Sequence, residues 1–289
     1  ANPSEPNNKN YMQNTVLLTG VIRSGTTLSC ALLNELPNVL VLDEPLQLKV
    51  VQQLDQPAFM LHVEEEFAAY RQQALVHKTA YSGQLDQQLA QHYTDDKNEE
   101  GLRASVISYE TIAINKDLSP DFTLVVKHHV VFLKYLEALM KKYPVYGLVR
   151  NPLSVLLSTH TLATLHKGYY QHQDKFLPEL IASIREKKNK TERLIKLLDF
   201  LFASNLPLLE AGQPLYYEDL VANSGQVLSH LVPAAAAYPK PLRNFNTNPY
   251  LNREQTLVIG EQLLKSKGAY WHFYSKDTVR ELLDQLLAQ

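Results

Sequence analysis

Asn14-Thr15-Val16-Leu17-Leu18-Thr19-Gly20-Val21-Ile22-Arg23-Ser24-Gly25-Thr26-Thr27-Leu28 decides how this chain is read. Residues 14–18 form a short apolar run with β propensity, and residues 29–36 carry apolar side chains at helical spacing. The stretch is therefore a strand that runs through a loop into a helix N-terminus. There, free backbone N–H groups and the positive end of the helix dipole favour an anionic group. Gly25 permits close approach, and the hydroxyls of Thr26 and Thr27 add donors.

The loop has nearly the spacing G-x-x-x-x-G-K-[ST] of a nucleotide-hydrolysing phosphate loop, but Thr26 stands where that pattern has lysine. The cation that would reach β- and γ-phosphates is missing, and Arg23 sits two residues before Gly25 instead. Outward from the loop, apolar runs at 38–42, 122–126, 145–149 and 215–217 read as four more buried strands. Helical patterns separate them at 131–142, 153–165 and 178–205. The alternation predicts an α/β fold with a central parallel sheet of about five strands, its ligand at the C-terminal strand ends. Residues 46–120, rich in Gln, Tyr, Glu and His, break the repeat. With helical patches at 63–75 and 85–93, they read as a helical lid. The charge run 94–100 reads as a solvated loop, and 223–252, with Pro233, Pro239, Pro241 and Pro249, as a long loop over the site.

The 289 residues, 45% of them hydrophobic, suffice for one large domain over 11–289 behind a flexible stub at 1–10. With 28 basic and 30 acidic residues, no global field favours nucleic acid, so any anion is held locally. The lone Cys30 excludes a disulfide framework and reads as a buried core residue, which suits a reducing, cytoplasmic setting. No apolar run is long enough to span a membrane. Oligomeric state is not legible.

Four further clusters carry chemistry. Val149-Arg150-Asn151-Pro152 ends a strand in arginine and opens a helix with an Asn cap and Pro at its first position; Ser158 lies two turns on. A guanidinium there suits a phosphate, because its fork donates to two oxygens and stays charged. Alternatively Arg150 salt-bridges a carboxylate. Thr123-Leu124-Val125-Val126-Lys127-His128-His129 ends a strand in Lys-x-His, an imidazole apt to accept a proton near neutrality. Val41-Leu42-Asp43-Glu44-Pro45 places Glu44 at a third strand end, where a charged hydrogen bond would orient Arg23 or another cation of the site. Leu215-Tyr216-Tyr217-Glu218-Asp219 and Lys265-Ser266-Lys267-Gly268-Ala269-Tyr270-Trp271 complete the set.

Arg23-Ser24-Gly25-Thr26-Thr27-Leu28 resembles the cofactor loop of sulfotransferases that use 3′-phosphoadenosine 5′-phosphosulfate (PAPS). The resemblance extends in order from residue 15 to 271 and implies a P-loop-like nucleotide-binding fold that needs no metal. It assigns the 5′-phosphosulfate to residues 23–28 and the 3′-phosphate to Arg150 and Ser158, whose R-x7-S spacing matches the family. Tyr217 falls on the tyrosine that contacts the adenosine part. Lys267 and Gly268 fall on a looser match to the family's R-K-G loop, or are a simple helix end. Lys127-x-His129, 23 residues before Arg150, matches the cytosolic enzymes and makes Lys127 and Arg23 the groups that offset charge on the leaving oxygen. His129 is then the base. Glu44, 21 residues after Arg23, matches the Golgi-type base and is its rival. The implied reaction moves a sulfuryl group to a hydroxyl or amine acceptor, whether small molecule, glycan, lipid or carrier-tethered, and leaves 3′-phosphoadenosine 5′-phosphate (PAP). Two alternatives stand: a small-molecule or nucleoside kinase of the same fold, and a non-catalytic nucleotide-binding module.

Overall fold

Period-2 alternation builds the centre of the molecule, a computed structural model that describes residues 14–84, 93–170 and 173–289. The strands are β1 (Thr15–Gly20), β2 (Val39–Asp43), β3 (Thr79–Gln84), β4 (Ser108–Ala113), β5 (Thr123–Lys127), β6 (Val145–Val149) and β7 (Pro214–Tyr216). Leu17, Leu40, Leu42, Leu124 and Val126 point to one face of the sheet, and Val16, Leu18, Val39, Val41 and Val125 to the other. Each fully buried leucine or valine of this kind contributes about 1.5–3 kcal/mol. The five strands of the central sheet are all parallel, in the order β2-β5-β1-β6-β7, as the apolar runs predicted.

Helices cover both faces: α1 (Thr26–Asn34), α2 (Leu48–Val51), α3 (Gln56–His77), α4 (Val130–Lys134), α5 (Leu136–Met140) and α6 (Pro152–His160). The chain continues through α7 (Pro178–Arg185), α8 (Lys190–Ala203), α9 (Leu206–Glu210), α10 (Tyr217–Ala222), α11 (Arg253–Lys265) and α12 (Lys276–Leu287). No helix among the described residues is long and apolar enough to cross a membrane.

Two predicted helices are each divided. The pattern at 131–142 breaks at Tyr135, whose ring stacks on Phe59 at 3.9 Å and whose hydroxyl donates to Leu54 O at 3.0 Å. Tertiary packing there overrides periodicity. The pattern at 178–205 stops after Arg185 and restarts at Asn189, whose side chain accepts from Glu192 N while Glu192 Oε2 accepts from Lys188 N. The stretch at 153–165 ends as a helix at His160, followed by a 3₁₀ turn.

The inserted segment is not wholly helical. α2 and α3 lie within it, but Tyr81 pairs with Thr111 in an antiparallel β3-β4 ribbon. Aromatic and β-branched residues suit such a ladder; β4 is exposed along nearly all its length, so no apolar alternation announces it. Most of the predicted patch at 85–93, and the stub at 1–10, fall outside the described residues. Two anchors fasten the insertion to the sheet. Arg71 of α3, buried against the Phe122 ring, donates to Phe122 O at 2.8 Å and to Asn14 O at 2.7 Å, at the start of β5 and β1. Ser82 of β3 accepts from Asp43 N at 2.9 Å, at the end of β2.

Candidate active site

A cavity of about 950 Å³ opens at the C-terminal ends of β1, β2, β5 and β6. One wall is the loop between β1 and α1, with Arg23, Gly25, Thr26, Thr27 and Leu28 on the cavity and Ser24 buried behind it. Ser24 Oγ holds the loop closed by donating to Val21 O at 2.5 Å. The first bond into α1 is Ser29 N–H to Gly25 O, so the N–H groups of Thr26, Thr27 and Leu28 lie ahead of the helical ladder.

Gly25 has φ 97°, and a Cβ there would lie 2.9 Å from Cδ2 of Tyr217. Both the backbone and the ring therefore demand glycine. Gly25→Ala is expected to cost about 1–2 kcal/mol in the left-handed conformation, with a calorimetric unfolding midpoint lower by about 2–4 °C per kcal/mol. An unchanged midpoint would mean that the loop relaxes freely.

Beside the loop the cavity is strongly basic. Arg150, 4% exposed at the end of β6, donates from Nε to Asn246 Oδ1 at 2.7 Å and from Nη1 to Arg23 O at 3.0 Å. Its guanidinium lies 4.4 Å from the centroid of the Tyr217 ring. Arg150 Nη2 is buried with no hydrogen-bond partner among the described residues, a state that costs about 1–3 kcal/mol until an acceptor arrives. Glu218 fixes this arrangement: it accepts from Asn246 Nδ2, Asn151 N and Tyr274 Oη. Arg150 is thus held by neutral groups, and among the described residues no salt bridge neutralises it.

Ser158 does not line the cavity. It is buried, and its Oγ accepts from Arg23 Nε at 3.2 Å and from Arg103 Nη2 at 3.1 Å. It orients two guanidiniums. Burial pushes the Arg23 guanidinium below its ordinary pKa, with the charge of Arg150 acting in the same direction. Asn246 and Arg103 carry no local sequence signal, because each reaches the site through a loop whose course only the tertiary structure sets.

The third wall is acidic. Lys127 is fully buried, 2.8 Å from Asp43 Oδ1 and 3.1 Å from Glu44 Oε1. Burial opposes its charge, but Asp43 and Glu44 outweigh burial and hold it above its ordinary pKa. Lys127 does not reach the cavity surface. Glu44 does line the cavity. Its backbone N–H donates to Lys127 O at 2.8 Å and holds it at φ 51°, and its Oε2 accepts from Tyr109 Oη of the ribbon at 3.0 Å.

His129 also lines the cavity, with both ring nitrogens engaged. Nδ1 is 3.1 Å from Gly20 O, a pure acceptor, so Nδ1 carries the proton. Nε2 then accepts from Thr26 Oγ1 at 3.1 Å. Burial, helped by Lys127, lowers the imidazole pKa to about 3. His129 is therefore a neutral strut under the loop. His128 is buried beside it, its Nε2 3.3 Å from Leu46 O, and burial lowers its pKa as well.

Tyr217 lines the cavity as expected, and Cys30 is buried in the core with its thiol pushed up by burial. Lys267 and Gly268 are not brought to the cavity. Lys267 is exposed, and the residues around it serve packing: Tyr270 is fully buried, and Trp271 Nε1 donates to Ser266 O at 3.1 Å. No protein-family model and no curated protein matches the chain, so its function rests on the site's own chemistry.

Proposed function

We propose that the protein transfers a sulfuryl group from PAPS to a hydroxyl or amine acceptor. The observation that carries this reading is Arg150, which lines the same cavity as a lysine-free loop at a helix N-terminus and whose buried Nη2 has no hydrogen-bond partner among the described residues. A nucleotide with phosphates at both ends of its ribose suits two anion sites on one cavity, and a triphosphate does not need the second. The loop N–H groups, Thr26, Thr27 and Arg23 hold the 5′-phosphosulfate; Arg150 holds the 3′-phosphate.

In the reaction, the acceptor oxygen or nitrogen bonds to sulfur as the bond from sulfur to the bridging oxygen breaks. The bridging oxygen leaves as part of PAP, its charge offset by Arg23 and the loop N–H groups. Glu44 takes the acceptor's proton. It faces the cavity, whereas His129 offers no free nitrogen and is far too weak a base near neutrality. Lys127 and Tyr109 keep the Glu44 carboxylate aimed. The aromatic and aliphatic walls, among them Tyr81, Tyr93 and Phe245, admit the body of the acceptor. The formal charge of -2 gives nucleic acid no hold, and the buried lone cysteine suits the cytoplasm.

Isothermal titration calorimetry tests the reading directly. PAP is expected to bind in the presence of a chelator and at least tenfold more tightly than adenosine 5′-monophosphate (AMP), since the second phosphate adds charge-assisted bonds worth about 1.5–3 kcal/mol each. Mg²⁺-dependent ATP binding stronger than PAP binding would favour the kinase instead. PAP binding without PAPS turnover on any phenol, sugar, lipid or carrier-tethered acyl acceptor would leave a binding module.

A further inference from the structure

We propose that Arg103, a residue of the insertion, is a second ligand of the 3′-phosphate beside Arg150 and couples the insertion to the occupied cofactor site. The inference rests on the PAPS reading above. Arg103 lies on the cavity, 4% exposed, between the charge run and the β3-β4 ribbon. Its backbone is sewn to the end of α6: Arg103 N donates to Thr161 O at 2.6 Å, and Ala163 N donates to Arg103 O at 3.0 Å. Its Nε donates to Thr161 Oγ1 and its Nη2 to Ser158 O and Oγ, which leaves Nη1 with no hydrogen bond to the described residues.

Three guanidiniums therefore share one pocket wall, each with an uncommitted nitrogen. Among the described residues, Arg23 donates only from Nε, to Ser158, while Arg150 leaves Nη2 and Arg103 leaves Nη1 without a bond. No salt bridge neutralises any of them among the described residues, and Asp95 acts on Arg103 only weakly beside burial and the repulsion of Arg23. Their fields meet at Tyr250, whose ring lies 5.0 Å from the Arg103 guanidinium. Burial alone would raise that phenol, yet Arg150, Arg23 and Arg103 hold it below its ordinary pKa. Buried like charges in contact are unfavourable unless an anion joins them. The 3′-phosphate dianion brings two charges and three terminal oxygens, so Arg150 Nη2 and Arg103 Nη1 can both donate to it while Arg23 stays with the 5′-phosphosulfate.

Binding at Arg103 then fixes residues 93–105 against α6, because the same residue carries both the phosphate contact and the backbone bridge to Leu162.

The test compares wild-type protein with Arg103→Gln and Arg103→Lys, each titrated with PAP and with AMP, and follows amide exchange of residues 93–105. Arg103→Gln is expected to weaken PAP by about 10- to 100-fold and to change AMP affinity by less than about threefold. Arg103→Lys should recover part of the loss. PAP, but not AMP, should slow exchange across 93–105 in wild type, and the slowing should vanish in Arg103→Gln. Wild-type-like PAP affinity in a folded Arg103→Gln protein, or equal loss of PAP and AMP, would sink this assignment while the PAPS reading stands. A wild-type protein that binds PAP no better than AMP would fail the PAPS reading itself, and the assignment with it.

Discussion

Arg150→Ala is expected to weaken PAP binding by about 10²- to 10⁴-fold, because a guanidinium fork makes two charge-assisted hydrogen bonds worth about 1.5–3 kcal/mol each. The effect is large because Arg150 presents its donors already fixed in place. Arg150 is anchored by Asn246 Oδ1 and Arg23 O, and Nη2 is already desolvated. The ligand does not have to organise the side chain on arrival. Stability should change less, since removing Arg150 also removes a buried charge and an unsatisfied donor, though Asn246 Oδ1 and the Tyr217 ring lose a neighbour. Arg150→Lys should bind PAP better than Arg150→Ala but below wild type, since an ammonium keeps the charge and loses the fork. Calorimetry on a variant with a native circular dichroism spectrum decides the matter. Unaltered PAP affinity in folded Arg150→Ala would remove Arg150 from the 3′-phosphate site.

The sheet was legible because its five strands are short apolar runs buried on both faces, which local sequence displays without ambiguity. Strand-end residues followed directly. Arg23, Glu44, Arg150 and Tyr217 all line the cavity, since a parallel sheet gathers its C-terminal ends. What was not legible lies where backbone direction depends on distant contacts. The β3-β4 ribbon is polar and exposed, so Tyr109 and its bond to Glu44 have no local signature. Arg103 looks like any loop arginine until the bridge to Leu162 buries it. Lys127 and Ser158 were placed in the right neighbourhood, but their neighbours turn them inward: Asp43 and Glu44 claim the ammonium, and Arg23 and Arg103 claim the hydroxyl. Lys267 shows the converse, a loose motif that the packing of Tyr270 and Trp271 explains without a ligand.

The second large effect concerns the base. Glu44→Gln is expected to lower turnover by about 10²- to 10⁴-fold while PAPS affinity stays nearly intact, because the amide keeps the shape of the carboxylate and loses its basicity. Lys127 and Tyr109 both donate to Glu44, so the amide oxygen can keep one of them and the loss should appear in kcat. His129→Ala should behave differently. Its Nε2 supports Thr26 and its Nδ1–H holds Gly20 O, so the variant loosens the loop, raises the KM for PAPS and lowers kcat less. The pH profile separates the two roles by sign. An imidazole with its pKa lowered to about 3 is already neutral throughout the working range and loses nothing as pH falls from 8 towards 5. Wild type should therefore show no activity limb centred near 6.5, the ordinary imidazole value. If such a limb appears and is abolished by His129→Ala, with Glu44→Gln remaining active, the proton goes to His129 and Glu44 is only the partner that fixes Lys127.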